Sequence, residues 1–170
     1  MILYHGTNLD INAISLNMCR PYKDFGRGFY LTTMEEQARK MASRVSRIYG
    51  GKQIINVYEF DEKMLLNSEL SIKDFGSDVC EEWATFVMNN RNREFMNFQD
   101  KLCNLDNKYD IVIGPVANDD LAMLFREFSN HAISVEVLLK ELAYKKVTNQ
   151  ISFHTQKAVD LLRKKDVIYG

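Results

Sequence analysis

Apolar positions along this chain repeat with two different periods, and polar stretches separate the blocks. Residues 2–5 form a short apolar strand, ended in a turn by Gly6, Asn8 and Asp10. Residues 20–28 are polar and carry Pro21, Gly26 and Gly28, so they read as a loop feeding an apolar strand at 29–31. A helix follows, with Thr33 as N-cap and Glu36 three residues later as a capping box. Its Ala38, Met41, Ala42, Val45 and Tyr49 recur at helical spacing on one face, and Gly50 and Gly51 stop it. Residues 54–60 have strand composition, with Ile54, Tyr58 and Phe60 on one side and Ile55 and Val57 on the other.

Further on, residues 81–89 read as a helix with Trp83, Phe86 and Val87 inward, whereas the polar stretch 89–97 has no clear period. A continuous apolar strand at 109–114 precedes a helix that Asn118 or Asp119 can cap and that runs towards Phe128. Ser134 caps another helix with Val135, Leu138, Leu139 and Leu142 on one face. A strand at 150–153, a helix capped by Thr155 and holding Ala158, Val159, Leu161 and Leu162, and an edge strand at 167–169 complete the chain. Strands and helices interleave irregularly, which points to an α+β fold.

The bulk numbers narrow this picture. A chain of 170 residues with 46% hydrophobic content is long enough for one core and short for two, so residues 1–170 read as a single domain. Twenty-two basic against 23 acidic residues leave a formal charge of −1, with no global signature of nucleic-acid or membrane-surface binding. Cys19, Cys80 and Cys103 are widely spaced and fit neither a disulfide framework nor a zinc site, and read as reduced thiols of a cytoplasmic protein. No signal peptide and no apolar run of roughly 20 residues is visible, so no membrane is expected. His5, His131 and His154 are too scattered to hold a metal. Lys145, Lys146 and the run Arg163-Lys164-Lys165 read as solvated helix ends.

Three segments join strand residues to polar groups that a plain core strand does not need. They are Tyr-His-Gly-Thr at 4–7, Asp-Phe-Gly-Arg-Gly-Phe-Tyr-Leu-Thr-Thr at 24–33, and Gln-Ile-Ser-Phe-His-Thr at 150–155. In this order they resemble the His-Tyr-Glu pattern of the ADP-ribosyltransferase superfamily, and more closely a group of small bacterial domains within it. The likeness runs from residue 2 to about 162. It implies a split β-sandwich, two small packed sheets around a cleft that holds NAD as substrate, with His5, Tyr30 and Gln150 as catalytic residues.

The resemblance also implies individual roles. His5 would hydrogen-bond a hydroxyl of the nicotinamide ribose as a neutral imidazole. Gly6 would let the carboxamide approach main-chain groups, and Tyr30 would stack on the nicotinamide ring with its hydroxyl in water. Arg27 would meet a pyrophosphate oxygen, and Thr7, Gly28, Phe29 and Thr32 would complete the cofactor contacts. The position of the family's glutamate is Gln150, which hydrogen-bonds but carries no charge. That departure favours single ADP-ribose transfer to a macromolecular acceptor over polymer formation; Asp119 and Asp120 are the candidates to replace the missing carboxylate. The family context implies a toxin-like or effector role with a small neutralising partner protein. Two rival readings stand beside this one: a module that binds NAD or ADP-ribose without turnover, and a structural interaction protein in which the three motifs are core and turn chemistry.

Overall fold

The structure, a computed structural model, describes residues 1–66, 69–77, 79–117, 119–143 and 148–170, with positions 119, 120 and 143 described by backbone alone. Strand β1 (Ile2–Thr7) pairs antiparallel with β3 (Ile54–Glu59), which pairs antiparallel with β7 (Arg163–Tyr169). A second sheet runs β2 (Phe29–Leu31), β6 (Asn149–Phe153), β5 (Ile111–Pro115) and β4 (Ile72–Asp74), with β4 parallel to β5. Five helices accompany them among the described residues: α1 (Glu35–Tyr49), α2 (Glu81–Arg91), α3 (Asp119–Ser129), α4 (Val135–Ala143) and α5 (Gln156–Val159). The architecture is therefore α+β with two sheets.

Three apolar clusters hold these layers. Leu3, Phe29, Tyr58, Phe60, Ile111 and Phe153 fill the space between the sheets. The opposite face of the four-stranded sheet meets α2, α3 and α4 through Phe25, Trp83, Phe86, Leu121 and Leu138. On the outer face of the three-stranded sheet, Ala38 and Ala42 of α1 pack on Ile55. Strand β3 is consequently covered on both faces, with its alternate residues divided between α1 and the inter-sheet core as its sequence pattern indicates.

Among the described residues the sheets are joined at one backbone bridge. Tyr4 and Thr32 exchange both of their main-chain hydrogen bonds, at 2.8 and 3.0 Å, and β1 and β2 then diverge. Thr32 also starts α1: its Oγ1 accepts from Met34 N and donates to Gln37 Oε1. The capping box expected on Thr33 and Glu36 does not form: the N-cap is Met34, without a side-chain cap, and Thr32 reaches the first turn from two residues before it. The apolar face of α1 is also narrower than its spacing indicates. Met41 and Tyr49 are 48% and 57% exposed, since only the alanine stripe lies against the sheet, and Tyr49 instead carries the Arg20 guanidinium.

Other elements differ from expectation for physical reasons. Arg163, Lys164 and Lys165 open β7 and do not end a helix; charged side chains suit this edge strand, and they pair with Glu59 and Asp10. Helix α5 is a single turn, and the Thr155 hydroxyl donates to Asp110 instead of capping it. Strand β4 is too short to leave a periodic signal, and its pairing with β5 defines it. The Ser134 cap forms, accepting from Val137 N at 3.4 Å. Asn118, Lys145 and Lys146 lie outside the described residues, as do the side chains of Asp119 and Asp120.

Candidate functional site

The site is built where β1 leaves β2. Tyr4 points its main-chain groups at Thr32, so by strand alternation Gly6 points its own N–H and C=O to the same edge, past the last bridge. The side-chain direction of Gly6 is closed: a Cβ there would stand 1.8 Å from the Ala38 carbonyl oxygen. Glycine is therefore required first for packing α1 onto β1; the residue is buried, and the β1–β2 pairing does not continue to it past the Tyr4–Thr32 bridge.

His5 lies beside that edge, stacked on Phe29 with ring centroids 4.4 Å apart. Its Nδ1 is 2.8 Å from the Tyr30 carbonyl oxygen. A carbonyl can only accept, so Nδ1 carries the proton. Burial of the ring lowers its pKa, against the opposing effect of the Tyr30 carbonyl. The imidazole is consequently neutral, which leaves Nε2 as an acceptor.

The Tyr30 side chain lies on the other face of β2, with its ring against Phe25 and His154. Its hydroxyl is not in water, contrary to what the likeness implied. It donates to the Gly26 carbonyl at 2.8 Å and accepts from Phe25 N at 2.9 Å, closing the loop before β2. Burial first, and then the Asp24 charge, raises the phenol well above its ordinary range, so it stays protonated.

Gln150 shares that face of the sheet, two residues from Ser152, the register partner of Tyr30. Its Nε2 donates to Asp24 Oδ2 at 2.8 Å and approaches the Pro115 carbonyl at 3.4 Å. Asp24, 7% exposed, also receives Arg91 through Nε and Nη2 on Oδ1, and Ala117 N on Oδ2. The carboxylate beside Gln150 is therefore Asp24, inside the second motif. The sequence carries no local signal for this role, because the partner Arg91 is 67 positions away.

The remaining candidates fall into two groups. Arg27 donates Nη1 to the carbonyls of Asn17 and Cys19, and lines a cavity of about 230 Å³ with Pro21, Tyr22, Arg93, Phe95 and Phe98. Thr7 closes β1 opposite Ile54. Phe29 and Thr32 are buried and engaged within the fold, and a Cβ on Gly28 would meet the His154 ring at 2.6 Å. His154 itself bridges Arg27 O and Ser152 Oγ, and burial lowers its pKa to about 4. The structure thus joins His5 to Tyr30 through the main chain and Tyr30 to Gln150 through the 24–26 segment. No hydrogen bond links His5 directly to Gln150 among the described residues. No group of His, Cys, Asp and Glu able to hold a metal, and no helix long and apolar enough to cross a membrane, occurs among the described residues.

Fold and site together define a class: an α+β domain whose two sheets part beside a neutral histidine, with a tyrosine and a glutamine on the adjoining strands. Residues 1–164 match the family DUF3990, described as a protein of unknown function, and the chain belongs to that family. No curated protein and no solved structure matches it.

Proposed function

We propose that this domain is a split β-sandwich of the ADP-ribosyltransferase type, that it binds NAD where β1 and β2 diverge, and that it transfers ADP-ribose from NAD to a macromolecular acceptor. The observation that carries this reading is the pairing of a Gly6 main-chain edge, left without a strand partner past the Tyr4–Thr32 bridge, with a neutral His5 whose Nε2 accepts. A carboxamide needs one donor and one acceptor at strand spacing, and a ribose hydroxyl needs an acceptor beside them. The cavity shared by Arg27, Arg93 and the aromatic rings of Tyr22, Phe95 and Phe98 suits the ADP half, with guanidinium for pyrophosphate and flat faces for a base.

In the reaction the bond between ribose C1 and nicotinamide breaks, nicotinamide leaves with the electron pair, and the acceptor's nucleophile attacks C1 and loses its proton. Gln150 Oε1, which has no protein partner among the described residues, would accept from a ribose hydroxyl. A toxin- or effector-like role with a small neutralising partner is the biological setting that the likeness implies. One observation favours a second reading, a module that holds NAD without turnover: the carboxylate nearest the site, Asp24, is already neutralised by Arg91.

Calorimetric titration of the chain with NAD, with nicotinamide release followed in the same samples, tests both. Binding by wild type that His5→Ala and Tyr30→Ala each abolish is expected. Release then identifies the transferase, and binding without release identifies the module. A folded wild type that does not bind NAD would overturn both readings and leave a structural interaction protein.

A further inference from the structure

Gln150 Nε2 sits between two groups that can only accept, the Asp24 carboxylate and the Pro115 carbonyl, so the orientation of its amide is not free. The NH2 must face Asp24, and Oε1 must face away from it. Asp24 in turn is held from three sides: Arg91 at the end of α2 takes Oδ1 at 2.6 and 2.9 Å, while Ala117 N after β5 and Gln150 on β6 share Oδ2 at 3.0 and 2.8 Å. Each oxygen of this carboxylate, 7% exposed as a residue, accepts two hydrogen bonds. A glutamate at position 150 would bring a second carboxylate to this place, where only a donor fits.

We infer that Asp24 and Gln150 act as one unit, in which Asp24 is a positioning residue that presents Gln150 Oε1 to the cleft, and that this site is built around an uncharged acceptor at position 150. The charge that the family's pattern carries on the strand residue is here carried by Asp24 and balanced by Arg91. The cleft role rests on the NAD reading above, whereas the pairing of the two side chains does not.

The test is a pair of cycles on the full chain. In the first, urea unfolding is measured for wild type, Gln150→Glu, Asp24→Asn and the double variant at pH 7.5 and 4.5. Gln150→Glu is expected to lower the unfolding midpoint strongly at pH 7.5 and much less at pH 4.5, where the new carboxyl keeps its proton. In the Asp24→Asn background the same substitution is expected to raise the midpoint, since the side-chain amide introduced there can donate to a carboxylate. An equal loss in both backgrounds and at both pH values would overturn the pairing. If Asp24→Asn fails to fold, the pH dependence of Gln150→Glu decides alone, and a pH-independent loss overturns it.

The second cycle measures NAD affinity for Asp24→Asn, Gln150→Ala and both together. Losses that do not add are expected, because Asp24 acts through Gln150. Additive losses would overturn the positioning role. Absence of NAD binding by wild type would remove the cleft role and the NAD reading together, while the unfolding cycle would still decide the pairing.

Discussion

Gly6 and His154 show how far single positions in this chain are set by their neighbours. The Ala38 carbonyl occupies the space that any side chain at position 6 would need. Gly6→Ala is therefore expected to lift α1 from β1 and cost about 3 kcal/mol, read from urea unfolding. A loss below about 0.5 kcal/mol would show that the helix yields freely. His154 is 2% exposed and neutral, with both ring nitrogens bonded and its pKa lowered from 6.5 to about 4. Between those values the unfolded chain binds a proton that the folded chain refuses, so stability falls as pH drops from 6.5 towards 4. The loss amounts to about 3 kcal/mol from this residue. His154→Gln should flatten that part of the stability curve; an unchanged slope would assign it to other groups, of which His5 shifts in the same direction.

Elements in this fold are tied by polar joints as much as by apolar layers. Thr32 links the β1–β2 bridge to the first turn of α1, and buried Asn56 of β3 holds the 9–11 segment through Leu9 O and Ile11 N. The Asp24–Arg91 pair does the same for α2 and the loop before β2, with Ala117 O as a second acceptor for Arg91. Arg91→Ala removes one partner and leaves the carboxylate buried. Water reaches the arginine, whose side chain is 30% exposed, so the expected cost is about 2–3 kcal/mol, below that of a fully enclosed pair. The same urea measurement checks it, and a cost near zero would mean that the carboxylate finds solvent without the helix moving.

Among the described residues of the whole molecule, the two sheets meet at one backbone bridge and otherwise through side chains, and the proposed NAD site lies on the line where they diverge. A ligand that binds only the folded state stabilises it by mass action. NAD at one hundred times its dissociation constant should add about 2.7 kcal/mol and raise the melting temperature by about 5–10 °C. Thermal unfolding against NAD concentration measures this, and His5→Ala should abolish the shift. A midpoint that ignores millimolar NAD would argue against the cleft.

Elements with a long periodicity or a continuous apolar run can be read from the chain alone. The strands at β1, β3, β5 and β6, the helix α2 with Trp83, Phe86 and Val87 inward, and the Ser134 cap were all legible, because local burial pattern and turn chemistry suffice for them. His5, Tyr30 and Gln150 stand out only through the resemblance of their three segments to a known pattern, since each alone is a weak signal. What they touch was settled by folding. That Tyr30 turns its hydroxyl into the loop, that Gly6 serves the helix carrying Ala38, and that a lysine-rich run becomes an edge strand all depend on how separate segments pack. Asp24 is the clearest case: its side chain meets Arg91, Ala117 and Gln150, at separations of 67, 93 and 126 residues, and no pattern within a short window can register such partners.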